Sequence, residues 1–205
     1  MTRVAIVTGG TSGLGLEIAR LLRERGMHVI TVSRRETADV QGDASRAETV
    51  QRVIAAADAA GTLSLLVNCA GSGTFGAAGS YDEARVREII DANLVSTILF
   101  CDALFPRFAR DGGTIVNVLS TAALLSKVNE SVYSAAKWGA RGYTDVLKAE
   151  AKGTKARVIS VAPGGMRTAF WEEDRAGFME PAAVAQVVVE AIAAPVNVSA
   201  IVIER

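Results

Sequence analysis

The stretch Val4-Ala5-Ile6-Val7-Thr8-Gly9-Gly10-Thr11-Ser12-Gly13-Leu14-Gly15 decides how the rest of the chain is read. A run of apolar residues passes straight into a glycine-rich turn, and a helical pattern follows without a break to Arg25. Glycines let a backbone turn tightly and approach a diphosphate closely, while the unpaired amides and the dipole of a helix start favour negative charge. A strand, such a turn and a helix in direct succession predict a dinucleotide-binding loop, with Gly9, Thr11, Ser12, Gly13, Leu14 and Gly15 as its contacts. A plain glycine-rich turn is the alternative reading of the same residues.

The same rhythm continues outward. Apolar runs at residues 29–32, 63–67, 114–119, 157–161 and 199–203 alternate with helical patterns over 47–60, 81–108, 131–151 and 181–193. The runs are rich in β-branched residues and barely alternate with polar ones, which suits strands buried on both faces of a parallel sheet covered by helices. The reading is a three-layer α/β/α sandwich on a seven-stranded parallel sheet, of which residues 4–7 and the five runs above place six strands. No repeat or proline-rich linker divides the chain, so a single domain is expected over residues 1–205.

Composition bounds the function. Half of the residues are hydrophobic and 21% are charged, as in globular proteins. Lysine plus arginine equals aspartate plus glutamate at 22 each, so no overall field favours nucleic acid or an acidic membrane. Neither partner is expected. Cys69 and Cys101 lie in apolar runs and read as buried reduced thiols. With His28 the sole histidine, no zinc-type ligand set assembles, and no metal is expected. The apolar start is too short for a signal peptide and no run reaches membrane-spanning length, so a cytoplasmic protein is expected.

The second strand ends in Val32-Ser33-Arg34-Arg35, where NAD-selective proteins place a carboxylate on the ribose 2′-hydroxyl. A serine beside guanidinium groups suits a 2′-phosphate instead, which favours NADP(H) over NAD(H). Solvated arginines neutralised by Glu36 are the alternative. Further on, Tyr133 and Lys137 share a helix face at i, i+4 spacing. A phenol, with an ordinary pKa of about 10, exchanges protons near neutrality only when a neighbour such as the Lys137 cation favours its phenolate.

Together these motifs resemble the classical branch of the short-chain dehydrogenase/reductase family over essentially the whole chain. Residues 8–15 look like the family's TGxxxGxG loop, Asn68-Cys69-Ala70-Gly71 like its NNAG motif, and Tyr133 with Lys137 like its YxxxK pair. Ser120 fits its catalytic serine, Asn93 its catalytic asparagine, and Pro163-Gly164 with Thr168 its PGxxxT stretch. Singly, Asn68 reads as a strand cap, Ser120 as a loop hydroxyl and Asn93 as a helix N-cap.

The resemblance implies a Rossmann-like fold and an NADP(H)-dependent oxidoreductase that reduces a ketone or aldehyde and reversibly oxidises a secondary alcohol. Tyr133 is then the general acid and Ser120 holds the carbonyl oxygen. Lys137 lowers the tyrosine pKa and binds the nicotinamide ribose, and Asn93 holds a relay water. Asn68, Ala70, Gly71, Pro163, Gly164 and Thr168 lie along the dinucleotide, with Asp43 and Ala44 at the adenine. A homodimer or homotetramer through helices 92–108 and 131–151 is implied as well. The alternative is a catalytically silent dinucleotide sensor or scaffold of the same fold. The family's extended branch, with its C-terminal substrate domain, is not expected, since two residues follow the last strand.

Cys69 replaces the second asparagine of NNAG, and Leu119 the first serine of a frequent Ser-Ser pair. The segment 169–180 is short for a substrate-covering loop, so an open substrate site is expected. Phe75, Leu124, Leu125, Phe170, Trp171, Phe178 and Met179 are candidates to wall a pocket for an apolar or aromatic substrate, or else to pack locally.

Overall fold

The computed structural model describes residues 2–171 and 176–204. Seven strands, β1 (Arg3–Thr8), β2 (His28–Ser33), β3 (Val40–Gln41), β4 (Thr62–Asn68), β5 (Gly113–Val118), β6 (Ala156–Pro163) and β7 (Ala200–Ile203), form one parallel sheet in the order β3-β2-β1-β4-β5-β6-β7. The helices are α1 (Gly13–Glu24), α2 (Ala47–Ala60), α3 (Glu83–Ile90), α4 (Ser96–Asp111), α5 (Ser131–Glu150) and α6 (Pro181–Ala193).

Successive strand residues point to opposite faces, and both faces are covered. Val4 and Ile6 of β1 join a core with Val50 and Val53 of α2, Phe100, Leu104 and Phe108 of α4 and Leu147 of α5. Ala5 and Val7 join the other core, with Leu14, Ile18 and Leu22 of α1 and Val184, Val188 and Val189 of α6. The unalternating apolar runs follow from this double burial. The chain winds outward from β1 to β3 and then crosses back to β4 beside β1, so the strand order reverses at the carboxyl ends of β1 and β4. Ligands of such sheets bind at that reversal.

The seventh strand is β3, whose two residues pair with Val32 and Ser33 and are too few to form a recognisable apolar run. The helix expected over 81–108 is interrupted by a π-helical segment at Asp91–Val95 and continues as α4 to Asp111. This combined stretch, Glu83–Asp111, is in fact long and apolar enough to cross a membrane, contrary to the sequence reading. Phe100, Leu104 and Phe108 on it are nonetheless fully buried against the sheet.

A buried polar chain joins the sheet to the helices on one face. The Asn68 side-chain amide donates to Asn117 Oδ1 at 2.9 Å and to Cys101 Sγ at 3.3 Å. The Asn117 amide donates to Thr144 Oγ1 at 2.9 Å, and the Thr144 hydroxyl donates to the Ala140 carbonyl at 2.6 Å. Asn117 and Thr144 are wholly buried. Asn117→Ala leaves the Asn68 amide with Cys101 alone and the Thr144 hydroxyl with Ala140 alone, at about 0.5–1.5 kcal/mol for each lost bond. Urea unfolding is expected to show a loss in that range, whereas an exposed change such as Val128→Ala leaves stability within about 0.5 kcal/mol.

Candidate active site

A cavity of about 810 Å³ opens at the carboxyl ends of the strands and runs from the end of β2, across the glycine loop, to the start of α5. Gly9 and Gly13 adopt left-handed φ of +67° and +51°, which other residues take only with strain. A Cβ on Gly15 would collide with the Gly9 carbonyl, so helix and turn pack backbone to backbone. The Thr8 hydroxyl accepts hydrogen bonds from the amides of Cys69 at 3.1 Å and Ala70 at 3.0 Å, clamping the end of β1 to the loop after β4. Thr8 was read only as the first residue of the glycine-rich motif, without this clamping role. A backbone cradle at the start of α1, whose N-cap Ser12 makes no side-chain cap bond, fits a dinucleotide diphosphate. Gly9, Thr11, Ser12, Gly13, Leu14 and Gly15 all line the cavity.

At the far end the Thr11 hydroxyl donates to Ser33 Oγ at 2.8 Å, and the Arg35 amide donates to the same oxygen at 3.0 Å. Ser33, Arg34 and Arg35 line the cavity, and among the described residues no ion pair joins either guanidinium to Glu36. Asp43 and Ala44 lie on the same wall with Arg46, which sequence reading missed. Burial pushes the Asp43 carboxyl up, but hydrogen bonds from the Ser45 amide and hydroxyl and the charges of Arg46 and Arg34 outweigh it and hold the pKa below its ordinary value. Asn68 does not reach the cavity; its side chain is spent on the buried chain behind β4, while Ala70 and Gly71 do line the wall.

At the other end, Ser120 begins a short 3-10 turn, Thr121–Ala123, and its oxygen accepts from the Ala122 amide at 3.1 Å. Tyr133 lies in the first turn of α5 and Lys137 one turn later, both 5% exposed. Lys137 Nζ donates to the Val118 carbonyl at 3.2 Å and lies 5.8 Å from the Tyr133 ring centre. Burial raises the Tyr133 phenol above its ordinary pKa, a side-chain interaction with Ser120 pulls it down, and the Glu130 charge raises it again. In the protein alone, then, desolvation outweighs the help expected from Lys137. Burial likewise lowers Lys137 to about 8.

Asn93 is not a helix N-cap but sits inside the π-helical segment, 1% exposed. Its amide donates to the carbonyls of Ser72 and Ile89, each at 2.9 Å, which leaves Oδ1 buried and without a hydrogen-bond partner. A Cβ on Gly71 would stand 2.7 Å from that oxygen and 3.7 Å from Lys137 Nζ, so the orphan acceptor and the ammonium flank one backbone position. Pro163, Gly164 and Thr168 complete the wall, and Thr168 closes on Gly13.

Of the expected wall residues, Phe75 and Phe170 pack edge-on to Tyr133 and Trp171 stacks on Phe75; the expectation of an open substrate site bears in part on residues 172–175, which lie outside the described residues. Phe170 and Trp171 line the cavity, whereas Leu124 packs into a small core beside Leu119 and Leu125 is 58% exposed. Phe178 lies behind Trp171 at 5.3 Å, and Met179 packs toward the α1–α6 core.

Lys137 is a buried cation, and its lowered pKa marks a stability cost. Between about pH 8 and the ordinary lysine value of 10.5, the unfolded chain keeps a proton that the folded chain has released, so stability rises with pH across that window. Lys137→Met is therefore expected to be more stable than the parent by roughly 1–3 kcal/mol below pH 8, with the advantage gone above 10.5. Thermal unfolding at pH 7 and pH 10.5 checks this, and a variant less stable at pH 7 contradicts it.

Residues 3–177 match the family model described as short chain dehydrogenase. A curated relative, carbonyl reductase family member 4 of Danio rerio, is 31% identical over 199 residues, covering 90% of this chain and 82% of the relative. A solved short-chain dehydrogenase/reductase from Vibrio parahaemolyticus superposes with a TM-score of 0.88 at 30% identity, covering 98% of this chain and 96% of its own. A solved actinorhodin polyketide ketoreductase with NADPH superposes with a TM-score of 0.83 at 26% identity, covering 98% and 95%.

Proposed function

The chain belongs to the short-chain dehydrogenase family, and from that premise we propose that it is an NADP(H)-dependent oxidoreductase that reduces a ketone or aldehyde, and in reverse oxidises a secondary alcohol, with Tyr133 as general acid and base. The observation that carries this reading is the convergence of Ser120, Tyr133, Lys137 and the unpartnered Asn93 Oδ1 on one end of the cavity whose middle is the glycine cradle. The dinucleotide, when bound, supplies or accepts the hydride.

The chain's own residues do the rest. Because the Ser120 oxygen already accepts from the Ala122 amide, its hydroxyl proton is available to donate to a substrate oxygen. The raised pKa keeps the proton on Tyr133 at neutral pH, the form that carbonyl reduction needs. Alcohol oxidation needs the phenolate and is favoured as pH rises. Lys137, anchored by the Val118 carbonyl, presents its ammonium to the ribose hydroxyls, and Asn93 Oδ1 takes a hydrogen bond from a water that returns the proton to Tyr133 by way of Lys137. Ser33, held by Thr11 and the Arg35 amide, and the guanidinium of Arg34 bind the 2′-phosphate. The partner is a small molecule, and the cytoplasm is the compartment proposed. Assembly as a homodimer or homotetramer runs through α4 and α5, where the Tyr143 hydroxyl donates to Asp102 Oδ1 at 2.5 Å beside a groove walled by Phe105 and Val146.

The test is NADPH oxidation against a panel of ketones and aldehydes, with NADH in parallel. Tyr133→Phe is expected to lose about 10²- to 10⁴-fold in turnover while dinucleotide affinity is retained. Arg34→Ala is expected to raise the KM for NADPH about tenfold with little change for NADH. Reduction should decline as pH rises through about 8, where Lys137 loses its charge. Undiminished turnover in Tyr133→Phe removes the proposed acid, and faster turnover of the parent with NADH overturns the roles of Ser33 and Arg34.

A further inference from the structure

Three aromatic side chains cluster about Tyr133 at the reacting end of the cavity, and two of them, Phe170 and Trp171, line it. Phe75, from the loop after β4, meets the Tyr133 ring edge-on at 5.4 Å and 81°, and Phe170 meets it at 5.7 Å and 62°. Phe75 and Trp171 are stacked nearly parallel, 4.9 Å apart at 16°. Phe170 meets Phe75 at 5.9 Å and Trp171 at 5.4 Å, so the three rings contact one another while Phe75 and Phe170 also contact the tyrosine. Ile89 and Ala122, both fully buried, close the back of this cluster.

The backbone is shaped to receive the rings. A Cβ on Gly73 would collide with the Phe170 ring, and one on Gly165 with the Phe178 ring, so bare backbone forms the floor on which each ring lies. Two glycines at ring-bearing positions, in segments far apart in sequence, point to a wall of set shape rather than to scattered surface aromatics.

The charges nearby sort the ligand further. Glu130 is buried, lines the cavity and acts electrostatically on Tyr133. Lys127 is exposed at the rim, with its ammonium 3.5 Å from Thr121 Oγ1. A carboxylate attached directly to the reacting carbonyl would lose its hydration against the ring faces.

Resting on the reductase reading, we propose that Phe170 and Trp171, backed by Phe75, form a specificity collar that selects uncharged carbonyl compounds carrying a flat or cyclic apolar group next to the C=O, the class of aryl and cycloalkyl ketones. The ligand's ring takes an edge-on or stacked place against Phe170 and Trp171, the geometries that aromatic pairs favour, and its oxygen then faces Tyr133 and Ser120.

The chain has two tryptophans. Trp138 lies outside the cavity on α5, under the Arg141 guanidinium at 5.5 Å. Trp138→Phe therefore leaves Trp171 as a sole emitter inside the collar. In this background, with NADP+ at saturation so that no ketone is reduced, acetophenone is expected to give a saturable change in emission and 2-butanone none. In turnover, kcat/KM for acetophenone is expected to exceed that for 2-butanone and for phenylglyoxylate by about tenfold or more, and Phe75→Leu to narrow the first ratio to roughly twofold.

NADPH affinity measured on the same Phe75→Leu sample reports that the fold is intact. Saturable emission change without turnover of any ketone supports the collar and sinks the reductase reading. Turnover with no preference for the ring, or no emission change with acetophenone, overturns the collar and leaves the reductase reading standing.

Discussion

The close approach of two backbones at the end of β1 is the constraint on which the rest depends. The Gly9 carbonyl and Gly15 pack too tightly to admit a side chain, and Gly9 itself lies against the Cys69 carbonyl at the end of β4. These contacts bring the start of α1 within reach of two strand ends at once, at the point where strand order reverses. The Thr8 hydroxyl, accepting two amides from the loop after β4, sets the spacing. Without this junction there is a parallel sheet with helices on both faces, but no backbone cradle and no cavity linking the end of β2 to α5.

The far wall of the cavity obeys a different logic, that of buried polarity. Asn93, Tyr133 and Lys137 are all at least nine-tenths buried, and each departs from what a protein would choose for stability alone. Asn93 keeps an unpartnered oxygen, Tyr133 has a phenol raised by burial, and Lys137 has an ammonium lowered by burial to about 8. Buried polar groups are ordinarily paired, so three such departures at adjacent positions are the physical mark of a site. Behind them, hydrogen bonds from the Asn68 amide to Asn117 and from the Asn117 amide to Thr144 hold α5 on β5.

The sequence made the central junction and the catalytic set legible because both are written in residue types with narrow physical uses. Glycine after a strand, serine and arginine after the next strand, and a tyrosine and lysine one helical turn apart each state their role locally. What was not legible depends on contacts between distant segments. Strand β3 has two residues and exists through its pairing with Val32 and Ser33. Asn68 was read with the dinucleotide from its motif, yet its side chain faces Cys101 and Asn117. Phe170 was read only as a candidate pocket wall, because nothing in the length of its segment shows that it comes to rest on Gly73. Arg46 carries no local pattern, and the motif that Thr8 opens does not tell that its hydroxyl holds the loop after β4.

The π-helical segment shows how a helix can serve both the core and the site. The Ser96 amide reaches back five residues to the Asp91 carbonyl, a wider turn than an α-helix makes. The widening falls where the stretch Glu83–Asp111 passes from the cavity rim to the buried face of the sheet. Beyond it, α4 presents Phe100, Leu104 and Phe108 to the core at helical spacing. At it, Asn93 turns its amide onto the Ser72 and Ile89 carbonyls and its oxygen toward Gly71. A regular helix carrying the same core residues would have to hold Asn93 in its own backbone register. One irregular turn thus lets a long apolar helical stretch deliver a polar group to the cavity while its packing face stays in register.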